Sequence, residues 1–416
     1  MNKRRDLRIL WNSNSPASNS GYGIETRDIL YRLVKDGWNI GISAFYGSQG
    51  GPREEVYPSQ LNSQLRGLTI KHYPVMSEAW GSDGMFFHGR DFGAHVVFSM
   101  QDVWVLDPAY LSKIKTWIPW FPVDKEPLPL NVIEKLNFAY KIMCFSKFGY
   151  DQLLKNGFSA TLIYEGTDVE IFEPRDKMEA RKKLGVPQDV FLWSMVGANK
   201  ENPPRKGYQE ALEAFGMFYK NHPEAAMLFH VQQRHPGGFP IKEYANYLGF
   251  AKRVFFMDDY RSMFMSTSDT IAMEYNACDA LLHPSQTEGF GLGIIEAQAS
   301  GKPVVIQNCQ SQPELIIEGK TGFGANTLYK RYTNDLSFVN VADPRSVYEA
   351  MEKTYKILKE DEKKVEKDCR EWIVENFNID IIVREKWIKF LEALQDELLP
   401  LPLTDKKESS NINLIK

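Results

Sequence analysis

Short apolar runs alternate with amphipathic stretches along most of the chain, and that alternation predicts an α/β protein. Residues 7–11 read as a buried strand, 12–23 (NSNSPASNSGYG) as a small-residue loop, and 24–35 carry Ile29, Leu30, Leu33 and Val34 at helical spacing. Gly37 closes that helix and 38–45 read as a second strand, so the chain opens on a strand–loop–helix–strand unit of the doubly wound kind. Further strands are predicted at 68–73, 96–100, 116–121, 141–145 and 162–164, and helices at 131–139 and 150–156. Residues 46–67 look irregular and exposed, and 74–95 carry no readable motif. The charged stretch 175–183 reads as a short solvated helix, after which the pattern starts again. Strands follow at 190–196, 226–231, 254–257, 280–282 and 304–306, with helices at 208–219, 271–276 and 292–299. Asp343-Pro344 opens a helix to about residue 359, the dense charges of 360–367 suit a solvated helical face, and 372–398 are largely helical. The polar end is expected to fray. No repeat recurs at a fixed period.

A chain of 416 residues is too long for one ordinary core, so two doubly wound domains are expected. The 43% hydrophobic and 25% charged shares are those of a globular protein, and a net charge of −4 gives no general basic surface for nucleic acid. The four cysteines, at 144, 278, 309 and 369, have no C-x-x-C spacing, which argues against zinc and a disulfide framework and for a reducing, cytoplasmic compartment. The basic start MNKRRDLRILWNSNS has an apolar run too short for a signal peptide or a membrane span, so no integral membrane contact is expected.

The candidate chemistry centres on 283–303, HPSQTEGFGLGIIEAQASGKP, a strand, a glycine-rich turn and a helix N-terminus. The first N–H groups of such a helix lack partners and carry the positive end of its dipole, which suits a phosphate. Gly289, Gly291 and Gly293 let a ligand approach the backbone. Glu288 and Glu296 lie eight positions apart, about two turns. A carboxylate facing phosphate would repel it, so these two are expected to accept hydrogen bonds from sugar hydroxyls. Phosphate on the turn with a ring at each glutamate describes a nucleotide sugar. Elsewhere, Asp102 and Asp124 follow predicted strands, at the carboxyl ends where ligands of open α/β sheets bind. Asp124 reads either as a ligand of an acceptor hydroxyl or its general base, or as a turn aspartate before Pro127. Arg205 and Lys206 sit at a loop-to-helix junction where a bound diphosphate would offset their charge; a solvated basic pair is the alternative. Asp258-Asp259 belongs to no D-x-D and reads as solvated, so no metal site is expected.

Glu288, the Gly289-Phe290-Gly291 run and Glu296, flanked by His283-Pro284-Ser285 and Gly301-Lys302-Pro303, resemble the E-x7-E signature of retaining GT-B glycosyltransferases, specifically glycosyltransferase family 4 (group 1). Two further stretches support the resemblance: Glu165-Gly166-Thr167-Asp168 with Phe172 and Pro174 is similar to the family's N-G-x-D…F-x-P crossover, and 319–324 to its E-G-x-x-G-x-L turn. The resemblance implies a GT-B fold: two Rossmann-like domains, 1–174 on the acceptor side and 175–375 on the nucleotide-sugar side, facing a central cleft. A C-terminal helix at 376–400 would cross back onto the first domain, with Trp387 and Phe390 as anchors, before a flexible tail at 401–416.

The implied activity moves a sugar from a nucleotide diphosphate sugar (UDP, GDP or ADP type) to an acceptor hydroxyl with retention, needing no cofactor or metal. Gly21 or Gly23 would face the donor phosphates; Gly197, Lys200, Phe290, Gly291, Leu292, Gly293 and Glu296 would complete the donor site. Glu288, Arg205, Lys206 and Asp124 would form the catalytic set, with Lys200 competing for one of the two cationic roles, and Asp102 would meet the acceptor. Many relatives carry a histidine where this chain has Pro122-Val123-Asp124. Rival readings are a GT-B epimerase or phosphorylase, a transferase acting on modified bases of DNA, and a non-catalytic sugar-nucleotide-binding module.

Overall fold

The computed structural model describes residues 5–47, 50–58, 61–258 and 266–399; the expectations for Asp259 and for the tail 401–416 lie outside the described residues. The first half builds an eight-stranded sheet from β1 (Arg8–Asn14), β2 (Asn39–Tyr46), β3 (Arg53–Val56), β4 (Thr69–Tyr73), β5 (Val96–Ser99), β6 (Trp117–Phe121), β7 (Met143–Cys144) and β8 (Thr161–Leu162), in the order β3-β4-β2-β1-β5-β6-β7-β8. The second builds a six-stranded sheet from β9 (Phe191–Val196), β10 (Ala225–His230), β11 (Val254–Phe256), β12 (Ala280–His283), β13 (Val304–Gln307) and β14 (Gly322–Ala325), in the order β11-β10-β9-β12-β13-β14. All pairings are parallel except β3 with β4. Helices cover both faces, so central strands such as β5, β12 and β13 are buried throughout, and this is why they read as continuous apolar runs.

Several expectations need correction. The first helix spans Gly21–Lys35, three residues longer than its apolar spacing suggests, because Ser20 caps it by accepting from the Gly23 N–H. Within 46–67, β3 is an exposed, charged edge strand whose sequence, REEV, has no apolar face to betray it. The motif-free stretch 74–95 holds a helix, Ser82–Phe92, in which Gly84 and Gly89 dilute the helical signal. After β14 an unexpected antiparallel hairpin, β15 (Thr327–Tyr332) and β16 (Phe338–Ala342), leaves the second sheet. The charge run 360–367 is continuous with the helix Pro344–Asn376, broken only at Asp361.

The chain crosses between the halves twice, and the crossings touch. Thr167 N–H donates to Phe377 O at 2.9 Å, and Ile379 N–H donates to Thr167 O at 3.1 Å. Asp168, buried beside the first crossing, pairs with Arg32 at 2.7 Å and accepts from Asn62 at 3.0 Å. The end of the chain then returns to the first sheet through Ile379–Ile382, a π-helical turn at Val383–Trp387 and the helix Ile388–Leu398. Trp387 is fully buried, with its ring 4.9 Å from Trp120, 5.4 Å from Trp11 and 5.9 Å from Phe98. Phe390 stacks edge-on to Phe98, so both expected anchors are seated. Among the described residues no helix is long and apolar enough to cross a membrane.

Candidate active site

β12 carries the chain from the buried sheet to the cleft, where 284–291 turn into the helix Leu292–Ala299. Gly291 makes this turn with φ 123° and ψ 58°, a conformation open to glycine, and a Cβ there would lie 2.9 Å from Ile294 Cδ1. No side chain caps the helix, so its first N–H groups are left for a ligand at the positive end of the dipole. The start of the helix Gly21–Lys35 faces it from the other half: a Cβ on Gly21 would sit 3.6 Å from Leu292 Cδ1.

A charged group stands beside the turn. Lys206 Nζ lies 2.5 Å from Glu288 Oε1, Arg205 Nη1 lies 3.6 Å from Glu288 Oε2, and Arg205 also donates to Thr287 O at 2.8 Å. His283 Nε2 is 3.0 Å from the same Glu288 Oε1. Burial alone would raise Glu288, but Lys206, the His283 hydrogen bond and Arg205 outweigh it and hold the carboxyl well below its ordinary range. Two turns on, Glu296 accepts from the Tyr275 hydroxyl at 3.2 Å and is pushed up to about 7, chiefly by burial. Glu165, from the first crossing, is pushed up to about 8 by burial and by Glu288 and Glu296. Its neighbour Glu25, on the first helix, accepts from Gly166 N–H at 3.2 Å and is likewise raised by burial and by Glu165. Arg27 completes this inner rim by donating to Ser268 Oγ across the halves at 2.9 Å.

In the first half, Tyr22 O–H donates to Asp102 Oδ2 at 3.2 Å. Burial and then Asp124 push Asp102 up to about 6, and burial raises Asp124. The loop of Asp124 meets the 284–291 turn directly. Thr287 O–H donates to Asp124 O, and a Cβ on Gly289 would fall 2.2 Å from Pro122 Cβ. Asp102 and Asp124 line one cavity of about 170 Å³.

The structure brings Glu288, Glu296, Arg205, Lys206, Gly21, Gly291, Leu292 and Gly293 to one cleft, with Asp102 and Asp124 beside it. Three expected residues differ. Gly23 lies within the first helix turn, where a Cβ would fall 2.4 Å from Ser18 O, so close packing of the 15–20 loop by itself demands glycine there. Phe290 is buried with its ring against Tyr164 and Phe377, so its side chain packs the crossover and does not face the cleft. Lys200 is exposed, and the cations that reach Glu288 are Lys206 and Arg205. Gly197 lies against Lys206, with a Cβ position 3.4 Å from Lys206 Cγ. Sequence reasoning did not single out Tyr22, Glu25, Arg27, Glu165, Tyr275 or the pairing of His283 with Glu288. Of these only Tyr22, His283 and Glu165 fell inside the quoted stretches.

Two parallel-sheet Rossmann-like halves facing a cleft, with a C-terminal helix returned to the first, make this a GT-B fold. Residues 176–327 match the family model described as "Glycosyl transferases group 1". D-inositol 3-phosphate glycosyltransferase of Corynebacterium glutamicum is 30% identical over 169 residues, which span 39% of this chain and 38% of that protein. Among solved structures, sucrose-phosphate synthase from Thermosynechococcus elongatus superposes with a TM-score of 0.71 at 17% identity, over 93% of this chain and 99% of its own. A glycosyltransferase from Rickettsia africae gives 0.70 at 18% identity, over 95% and 100%. Anabaena HepE, in complex with UDP and glucose, gives 0.64 at 16%, over 93% and 100%.

Proposed function

We propose that the protein is a retaining, metal-independent glycosyltransferase that moves a sugar from a nucleotide diphosphate sugar to an acceptor hydroxyl. The observation that carries this reading is the uncapped, glycine-opened helix N-terminus at Gly291–Gly293, with Arg205 and Lys206 beside it, Glu288 before it and Glu296 within the helix. The amides and the two cations would hold the diphosphate and stabilise the charge that grows on it as the glycosidic bond breaks. Glu288 would accept from the donor sugar's hydroxyls and Glu296 from the ribose. The C1–O bond to phosphate breaks with its electron pair going to the diphosphate. The acceptor oxygen bonds C1 from the same face, and its proton passes to the leaving phosphate oxygen. Asp124 would orient that hydroxyl, with Asp102 as a second acceptor-side carboxylate. We propose the domain division already given, with the boundary near 175. Four free, buried cysteines support a reducing, cytoplasmic location.

The test is a thermal-shift panel of UDP, GDP, ADP, CDP and TDP and their sugar conjugates. It opens on UDP because HepE has been seen with UDP and glucose. A ligand that binds only the folded state raises the melting temperature by mass action. One nucleotide should raise it, and Glu296→Ala should abolish the rise. A panel with no rise would overturn the reading. A hit whose sugar is released as free sugar or sugar phosphate would favour an epimerase or phosphorylase.

A further inference from the structure

We propose that the 170 Å³ cavity beside the donor turn is an acceptor subsite for a single pyranose ring, walled on one side by the tip of the hairpin β15–β16. The proposal rests on the glycosyltransferase reading and names its acceptor as a saccharide or glycoside. The cavity lies between the loop after β5, the loop after β6 and Asp335 at the hairpin tip. It is smaller than the roughly 300 Å³ at which drug-sized pockets begin, so it excludes a nucleotide and admits one small ring. Its walls are unlike one another. Trp104 is 53% exposed at the rim, a large apolar face left to water on a chain that buries most of its tryptophans. The same lining carries the Asp102 and Asp124 carboxylates, strong hydroxyl acceptors. A pyranose has the same two characters, a C–H face that stacks on an aromatic ring and a belt of hydroxyls.

Three contacts tie the hairpin to the loop after β6. Lys125 Nζ lies 2.6 Å from Asp335 Oδ2, Lys330 Nζ lies 2.6 Å from Glu126 Oε1, and Phe338 N–H donates to Glu126 O at 3.0 Å. Asp335 is itself held by Ser337 O–H at 2.6 Å, so the tip arrives preformed. The second half therefore helps to shape an acceptor pocket on the first. Donor and acceptor stand side by side, because the β6 loop that floors the pocket also carries the Asp124 carbonyl bonded to Thr287.

The experiment is saturation-transfer NMR on the full chain with the methyl pyranosides of glucose, galactose, mannose, N-acetylglucosamine, rhamnose and fucose, with a UDP thermal shift in parallel. At least one pyranoside should receive saturation at its ring protons. Trp104→Ala should weaken it about tenfold, the scale of one aromatic contact, while Trp104→Phe retains most of it. Asp335→Asn should weaken it as well, and the UDP shift should survive in all three variants. Saturation from no pyranoside, with the UDP shift intact, overturns the subsite and leaves the transferase standing. Saturation that Trp104→Ala and Asp335→Asn both leave unchanged overturns it too. Pyranoside binding without any nucleotide shift overturns the donor reading, and with it the pocket's role as an acceptor subsite, and leaves a pyranose-binding pocket.

Discussion

Lys206 and Glu288 neutralise one another at 2.5 Å, yet the proposed donor asks opposite things of them. A diphosphate needs the ammonium and is repelled by the carboxylate; a sugar hydroxyl needs the carboxylate. Lys206→Ala is therefore expected to weaken nucleoside diphosphate binding by about 1.5–3 kcal/mol, the worth of a charge-assisted hydrogen bond, read by titration calorimetry. Glu288→Gln should leave that affinity unchanged or stronger, since it frees Lys206, while hydrolysis of the nucleotide sugar falls about 100-fold. Equal loss of diphosphate affinity in both variants would remove Glu288 from the sugar. The glutamates, the cations and the turn glycines were legible because they lie together in short motifs. Tyr22 and Asp102 are 80 residues apart, and no local pattern announces such a partnership. Phe290 misleads for the converse reason: it sits inside the motif, but the motif's backbone faces the cleft while its ring packs the crossover.

Among elements, long buried strands and amphipathic helices could be read from spacing, and elements with charged or glycine-rich faces could not. The REEV edge strand, the helix Ser82–Phe92 and the exposed strand β15 (TLYKRY) belong to the second kind, and the tip that follows β15 lines the 170 Å³ cavity. The first helix is a milder case, since its last residues were clear and its start was masked by the serines and glycines of its cap. That start separates two roles for glycine. A Cβ at position 23 would strike the Ser18 carbonyl, a backbone atom that cannot swing aside. Gly23→Ala should cost about 1–3 kcal/mol, the range for overpacking, and lower the melting temperature accordingly. The increment that UDP adds should be retained, because the Gly23 N–H is already spent on Ser20. Loss of the increment without loss of baseline stability would return Gly23 to the donor phosphates.

At the scale of the whole molecule, the two halves meet over buried charge. Asp168→Ala would leave Arg32 buried without its main partner, and a cost of about 3–5 kcal/mol is expected, measurable by denaturant unfolding. Deeper in the cleft, carboxylates from three places crowd together: Glu25 on the first helix, Glu165 on the crossing, and Glu288 and Glu296 on the donor turn and helix, with Arg27, Asp28, Lys206 and Arg205 around them. Glu288 stays ionised. Glu165, raised to about 8, and Glu296, raised to about 7, hold protons in the folded protein that the unfolded chain gives up near 4.5. The folded state thus binds more protons between those values, so stability falls as pH rises from about 5 to about 8. The same protons bear on the donor. A nucleotide sugar carries its diphosphate charge unchanged across this range, and each carboxylate that ionises beside it opposes binding. The stabilisation it gives should be larger at about pH 6 than at about pH 8.5, and Glu165→Gln should flatten that difference. A shift equal at both pH values in the unaltered protein would mean that the donor diphosphate lies away from these carboxylates, and the cleft would then have to bind its nucleotide in another orientation.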